Sequence, residues 1–176
     1  MKRGPAPIEP ASIAKNSSGP ISKTMGELLI EVTQGQYDDF RFYLEENEIK
    51  ALILSFSLPF LLNNNCGHLS RALQGTQVSF IKLECNEIGN AGAIDFAANL
   101  KGTNVLSVDL SYNKISDVGA RDFVANLKGT QVHYVNLSNN QIGASGAKDF
   151  AANLQGTQVD YVDLSNNQIL TPGASD

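Results

Sequence analysis

Residues 78–104 read VSFIKLECNEIGNAGAIDFAANLKGTN, and residues 105–131 repeat them as VLSVDLSYNKISDVGARDFVANLKGTQ. Residues 132–158 follow as VHYVNLSNNQIGASGAKDFAANLQGTQ, and VDYVDLSNNQILTPGASD from Val159 is a shortened further copy. A unit of 27 residues is too small to enclose a core by itself, so it must stack on its neighbours. Two periods alternate within it. Val105, Val108 and Leu110, with Ser107, Asp109 and Ser111 among them, make a short strand of period two. Ala120, Phe123, Val124 and Leu127 then fall on one helix face, as do Ala93, Phe96, Ala97 and Leu100, and Ala147, Phe150, Ala151 and Leu154. Asn90, Asp117 and Thr171 are expected as helix N-caps, with Pro172 at a first helical position. Gly75, Gly102, Gly129 and Gly156 stand where a left-handed C-cap is needed. A strand, a helix and another strand in each period demand parallel pairing with right-handed crossovers. Neighbouring strands lie about 4.8 Å apart, and the wider helices bend the stack into an arc with the sheet inside.

The invariant columns are structural. Asn86, Asn113, Asn140 and Asn167 suit buried amides that bond backbone groups of their own and the adjacent turn. Phe96, Phe123 and Phe150 are core. Stepping back 27 residues from Val78, Ile81 and Leu83 lands on Ala51, Leu54 and Phe56, and the helix positions land on Cys66, Leu69 and Leu73. Residues 51–77 are therefore expected to be a divergent first repeat, with Pro59 in place of the Asn. Regular repeats follow at 78–104, 105–131 and 132–158, then the truncated 159–176, so the arc covers 51–176. Residues 22–50 form an expected N-terminal capping segment. In it Thr24-Met-Gly-Glu27 resembles a capping box, followed by Leu28, Leu29 and Val32 at helical spacing. QYDDFRFYLEEN suits a helix through Tyr37, Phe40 and Leu44 or a strand through Phe40, Phe42 and Leu44, and the helix is favoured. Residues 1–21, rich in Pro, Ser and Gly, read as a flexible leader.

Composition narrows the function. A net charge of −5 argues against general nucleic-acid binding. Residues 1–23 carry Lys2, Arg3, Lys15 and Lys23 against Glu9, whereas residues 24–50 are acidic. No apolar run reaches the roughly 20 residues of a membrane-spanning helix, and the start lacks the apolar segment of a secretory signal. The expected compartment is the cytoplasm, with Cys66 and Cys85 reduced. Cys66-Gly-His68 has the residue types of a nucleophile and its base, but the register puts Cys66 in the core-facing column and His68 on the outer helix face. Asp109 and Asp163, two strands apart, stand roughly 10 Å from one another, beyond the usual carboxyl separation of an inverting glycosidase. GNAGA at 89–93 lacks the lysine of a phosphate loop. No metal-ligand set and no cofactor motif is evident, so the expectation is a protein that is not an enzyme.

The pattern VxxVxLSxNxIxxxGAxDFAxNL resembles the leucine-rich repeat, and its long helical half places it nearest the ribonuclease-inhibitor-like subtype. The resemblance covers roughly residues 51–174, departing from the usual unit by one or two residues and by the Gly-Thr junction at Thr76, Thr103, Thr130 and Thr157. It implies an α/β solenoid, a curved parallel sheet inside and helices outside, with a helical N-terminal cap. It also implies a protein-binding scaffold, since members of that subtype mostly bind proteins and include GTPase-activating and nuclease-inhibiting ones. Similar Asn-, Gly- and Ser-rich repeats occur in host-targeted effectors of intracellular bacteria, which keeps secretion by a specialised bacterial system among the expectations. Such repeats typically bind through the concave sheet. Mapped onto this chain, the candidate binding residues are Phe80, Lys82, Glu84, Asp109, Tyr112, Tyr134, Asn136, Tyr161 and Asp163. The exposed rings suit a protein interface, and the acids favour a partner with basic groups. The alternatives are a structural unit that self-associates through an uncapped last repeat, where Val162, Leu164 and Ile169 lack a lid, or, by analogy with the GTPase-activating relatives, a regulator of a GTPase.

Overall fold

A computed structural model describes Val32 and residues 34–54 and 66–169. The alternation of periods becomes five three-residue strands and five helices among these residues. The order is α1 (Asp38–Glu46), β1 (Ala51–Ile53), α2 (Cys66–Ala72), β2 (Phe80–Lys82), α3 (Asn90–Ala98), β3 (Ser107–Asp109), α4 (Asp117–Asn126), β4 (Tyr134–Asn136), α5 (Ala144–Asn153) and β5 (Tyr161–Asp163). The strands pair in parallel, in chain order, as one sheet. This is the α/β solenoid expected from the repeat.

Each regular step pairs residues 27 apart: Phe80 with Ser107, Ser107 with Tyr134, and Tyr134 with Tyr161. The first step differs. Ala51 pairs with Phe80 and Leu52 with Ile81, a stride of 29, so Leu52 and not Leu54 occupies the Ile81 position. The helix keeps the stride of 27, since Cys66, Leu69 and Leu73 are all buried where Ala93, Phe96 and Leu100 lie a unit later. Two additional residues therefore fall between strand and helix of the first unit. Phe56 and Pro59 lie outside the described residues, as do the Thr24–Glu27 box, Thr171 and Pro172. QYDDFRFYLEEN does form a helix, which buries Phe40 and Leu44. Arg41 on that helix donates to the carbonyls of Arg71 (2.7 Å) and Ala72 (3.3 Å) at the end of α2, where a helix leaves its acceptors open and favours positive charge.

One core runs the length of the stack. Phe96, Phe123 and Phe150 are fully buried along it, with Ile81, Val108 and Val135 from the strands and Leu83, Leu110 and Leu137 just beyond them. On α5 the same stripe is only partly covered: Leu154 is half-buried and Ala151 exposed, because no described helix packs beyond it. The four C-cap glycines adopt φ of +79° to +86°, a backbone that costs a side-chain-bearing residue about 1–2 kcal/mol. Behind them the Gly-Thr junction has a packing role. Thr76, Thr103 and Thr130 are buried, and each Oγ1 donates to the carbonyl three residues before it, at 2.7–2.9 Å.

The expected N-caps are displaced by one residue. Gly89, Ser116 and Gly143 occupy the N-cap positions, and Asn90 and Asp117 are the first helical residues. Their side chains serve the next unit instead. Asn90 Oδ1 accepts from the Ser116 N–H at 2.8 Å, and Asp117 Oδ1 accepts from the Gly143 N–H at 2.6 Å. This latch needs the helices to approach closely, which explains Gly119 and Gly146, two residues into α4 and α5. A Cβ on Gly119 would sit 2.9 Å from Asn90 Cα, and one on Gly146 would sit 2.6 Å from Asp117 Cα. Gly→Ala inside an exposed helix ordinarily gains up to about 1 kcal/mol. Here Gly146→Ala is expected to destabilise by about 2 kcal/mol through overpacking, read as a lower urea midpoint at unchanged slope.

Candidate sheet-face binding surface

The Asn column builds the turn between strand and helix and so aims the residues of the sheet face. Asn113 Nδ2 donates to Leu83 O of the preceding unit (2.9 Å) and to Leu110 O and Ser111 O of its own (3.0 and 3.1 Å). Its Oδ1 accepts from Asn86 N–H (3.1 Å) and Ile88 N–H (2.8 Å). Asn140 and Asn167 repeat the bonds to the three carbonyls and to the Ile N–H. Asn86 donates to the carbonyls of Leu54 and Glu84, while its buried Oδ1 has no partner among the described residues.

With the strand centres turned to the core, the flanking strand residues stand on the opposite sheet face. The outer row is Phe80, Ser107, Tyr134 and Tyr161. Register brings Tyr134 and Tyr161 into a parallel stack with centroids 4.9 Å apart and planes 7° apart. That separation matches the strand spacing of about 4.8 Å, so in-register tyrosines on adjacent parallel strands stack without leaving their places. Tyr161 remains 54% exposed and Tyr134 half-buried. Phe80, half-buried at the other end, is separated from the pair by Ser107.

The second row, Lys82, Asp109, Asn136 and Asp163, has a structural task that the sequence reading missed. Oδ1 of Asp109, Asn136 and Asp163 accepts the N–H of Ser111, Ser138 and Ser165 at 2.8–2.9 Å, the local bond of an Asx turn. The signal was present as Asp-Leu-Ser, Asn-Leu-Ser and Asp-Leu-Ser at matched places. Asp109 is accordingly only 9% exposed, whereas Asp163 is more open. Lys82 pairs with Glu84 at 2.6 Å, and that hydrogen bond raises the lysine pKa.

Beyond the second row lie Cys85, Tyr112, Asn139 and Asn166, all with φ between 54° and 58°. Asn tolerates this left-handed backbone, but a Tyr pays for it. Tyr112 is nevertheless 54% exposed, so its ring recovers little by burial. Tyr112→Asn is expected to raise stability by about 1 kcal/mol, measured by chemical denaturation. Burial raises the Tyr134 hydroxyl pKa, and the charges of Asp109, Tyr161 and Asp163 add to it. Asp160, before β5, lies 3.5 Å from His133 Nδ1. The Cys85 thiol is also raised, by desolvation first and Glu84 second.

Elsewhere, Cys66 is buried and its thiol is pushed up to about 12 by desolvation, with Asp95 adding. It therefore stays protonated at neutral pH and makes a poor nucleophile. His68, half-buried, is covered by α1's neighbour Tyr37, whose hydroxyl lies 2.8 Å from Nδ1. Among the described residues no three His, Cys, Asp or Glu side chains converge on a metal position. No helix among them is long and apolar enough to cross a membrane.

The leucine rich repeat family model matches residues 103–124 and 130–151. Curated protein sequences give no match. Among solved structures the chain is similar to one described as leiomodin-1 actin-binding site 2, with TM-score 0.62 and 15% identity, covering 81% of this chain and 80% of that one. The matched repeats, the parallel sheet backed by helices and this likeness agree: the chain folds as a leucine-rich-repeat solenoid.

Proposed function

We propose that the protein is a protein-interaction module that binds a partner through the sheet face opposite the helices. The observation that carries this is the exposed Tyr134–Tyr161 stack, a rigid apolar surface with polar edges held on adjacent strands. Aromatic anchors of this kind contribute large contact area at low entropic cost. Tyr112 supports the same face: a ring kept in left-handed backbone where the next two units place Asn139 and Asn166 costs stability without burial in return. Phe80, Lys82, Glu84, Asn136 and Asp163 complete the surface, with Asp109 beneath it.

Tyr134→Ala combined with Tyr161→Ala is expected to abolish partner capture in a pull-down while leaving the melting transition in place. Capture equal to that of the native chain would refute this use of the face. Actin, the ligand named for the leiomodin-1 actin-binding site of similar fold, is a defined first bait. A second reading, self-association through the last repeat, is favoured by half-buried Val159, Val162 and Leu164 and exposed Ile169. A concentration-independent monomer in light scattering counts against it.

A further inference from the structure

The charges on the sheet face are segregated. Lys50, before β1, and Lys82, on β2, stand at one end, and Lys82 is already engaged by Glu84. Toward β3–β5 the corresponding rows hold Asp109, Asp160 and Asp163 and no lysine or arginine. The tyrosine stack lies within this acidic end. Tyr134 feels the charges of both Asp109 and Asp163, and Tyr161 has Asp160 directly before it and Asp163 two residues on. Asp163 spends one oxygen on the Ser165 N–H, and among the described residues its other oxygen accepts nothing.

We propose that this end of the face receives an arginine side chain of a partner protein, its guanidinium lying on the exposed Tyr161 ring of the stack and paired with Asp163. This rests on the sheet face being the interaction surface. The chemistry selects arginine because a planar cation satisfies the ring and the carboxylate together. A strongly hydrated ammonium gains less from the ring, and an anion is repelled by three carboxylates. His133 Nδ1 stands 3.5 Å from Asp160 and not against Asp163.

Asp163→Asn isolates the charge, because Asn136 makes the same turn bond one unit earlier, so the variant keeps the fold. The probe is a short blocked peptide containing two arginines, titrated into the full chain and followed by NMR of the tyrosine ring protons. The control peptide carries citrulline, which keeps the planar shape without the charge. Saturable shifts confined to Tyr134 and Tyr161, weakened about tenfold by Asp163→Asn or by Tyr161→Ala and absent with citrulline, are expected. Equal binding of the citrulline peptide, an unchanged affinity in Asp163→Asn, or equal shifts at Tyr37 and Tyr43 beside the acids of α1 would overturn the proposal. Absence of any shift would overturn it too. If the double tyrosine variant still lost partner capture, the interaction face would stand and the arginine assignment alone would fall.

Discussion

Asn113→Ala is expected to lower unfolding free energy by about 3–4 kcal/mol, since several buried groups lose partners that cost roughly 1–3 kcal/mol each. The amide serves five backbone groups in two adjacent units, and Ile88 N–H, Leu83 O and Leu110 O have no water to turn to. Asn167→Ala provides the internal comparison. Two units on, its amide joins Ile142 N–H, Leu137 O, Leu164 O and Ser165 O, but it is half-buried and near solvent. A loss of about 1 kcal/mol is expected there. Urea unfolding of both variants measures the difference, and equal losses would show that the column acts through something other than buried backbone bonds. Because each repeat contacts only its neighbours, the Asn113 variant is also expected to uncouple the two halves of the stack, seen as a reduced denaturant slope.

Phe123→Ala carries the largest expected loss, about 4 kcal/mol, from lost transfer energy and the cavity left behind. Phe123 is fully buried at the centre of the Phe column, with Phe96 and Phe150 at the equivalent positions on either side. The neighbours are held by the turn amides and the Asn90 and Asp117 latches, so they have little freedom to collapse into the space. Phe123→Leu, which places the residue of the first unit (Leu69) in the central one, is expected to cost about 1 kcal/mol. Thermal and urea denaturation of the pair separate cavity size from loss of the ring as such. A Phe123→Ala chain no less stable than the Leu variant would contradict this packing account.

The repeat made the architecture legible because its period answers two separate geometries at once. Alternation of Val, Val and Leu with polar residues reports a strand, and Ala, Phe, Val and Leu at helical spacing report a helix. Their recurrence after 27 residues leaves parallel stacking as the way to cover both. The same logic failed in the first unit, where strand and helix follow different strides and a single backward step put Leu54 where Leu52 belongs. Residue identity also misled at the helix starts. Asn90 and Asp117 are good cap formers, but the extended residue before each helix is Gly89 or Ser116, and the side chains reach across to the next unit.

The candidate site was legible as rows and not as a surface. Sequence spacing placed Tyr134 above Tyr161 and Asp109 beside Asn136, but spacing carries no information on what each side chain bonds. Asp109, Asn136 and Asp163 turned out to hold their own turns, and Tyr112 turned out to sit in left-handed backbone.

The sequence by itself determined the order of elements, the parallel sheet, the buried Asn and Phe columns and the left-handed glycines, because each follows from local backbone chemistry repeated at a constant interval. The tertiary structure decided which polar residues remain available at the surface. Burial and hydrogen bonding depend on the neighbouring unit as much as on the residue: Asp109 is nearly closed off, Asp163 keeps an oxygen free among the described residues, and only adjacent in-register strands make two tyrosines into one stacked platform.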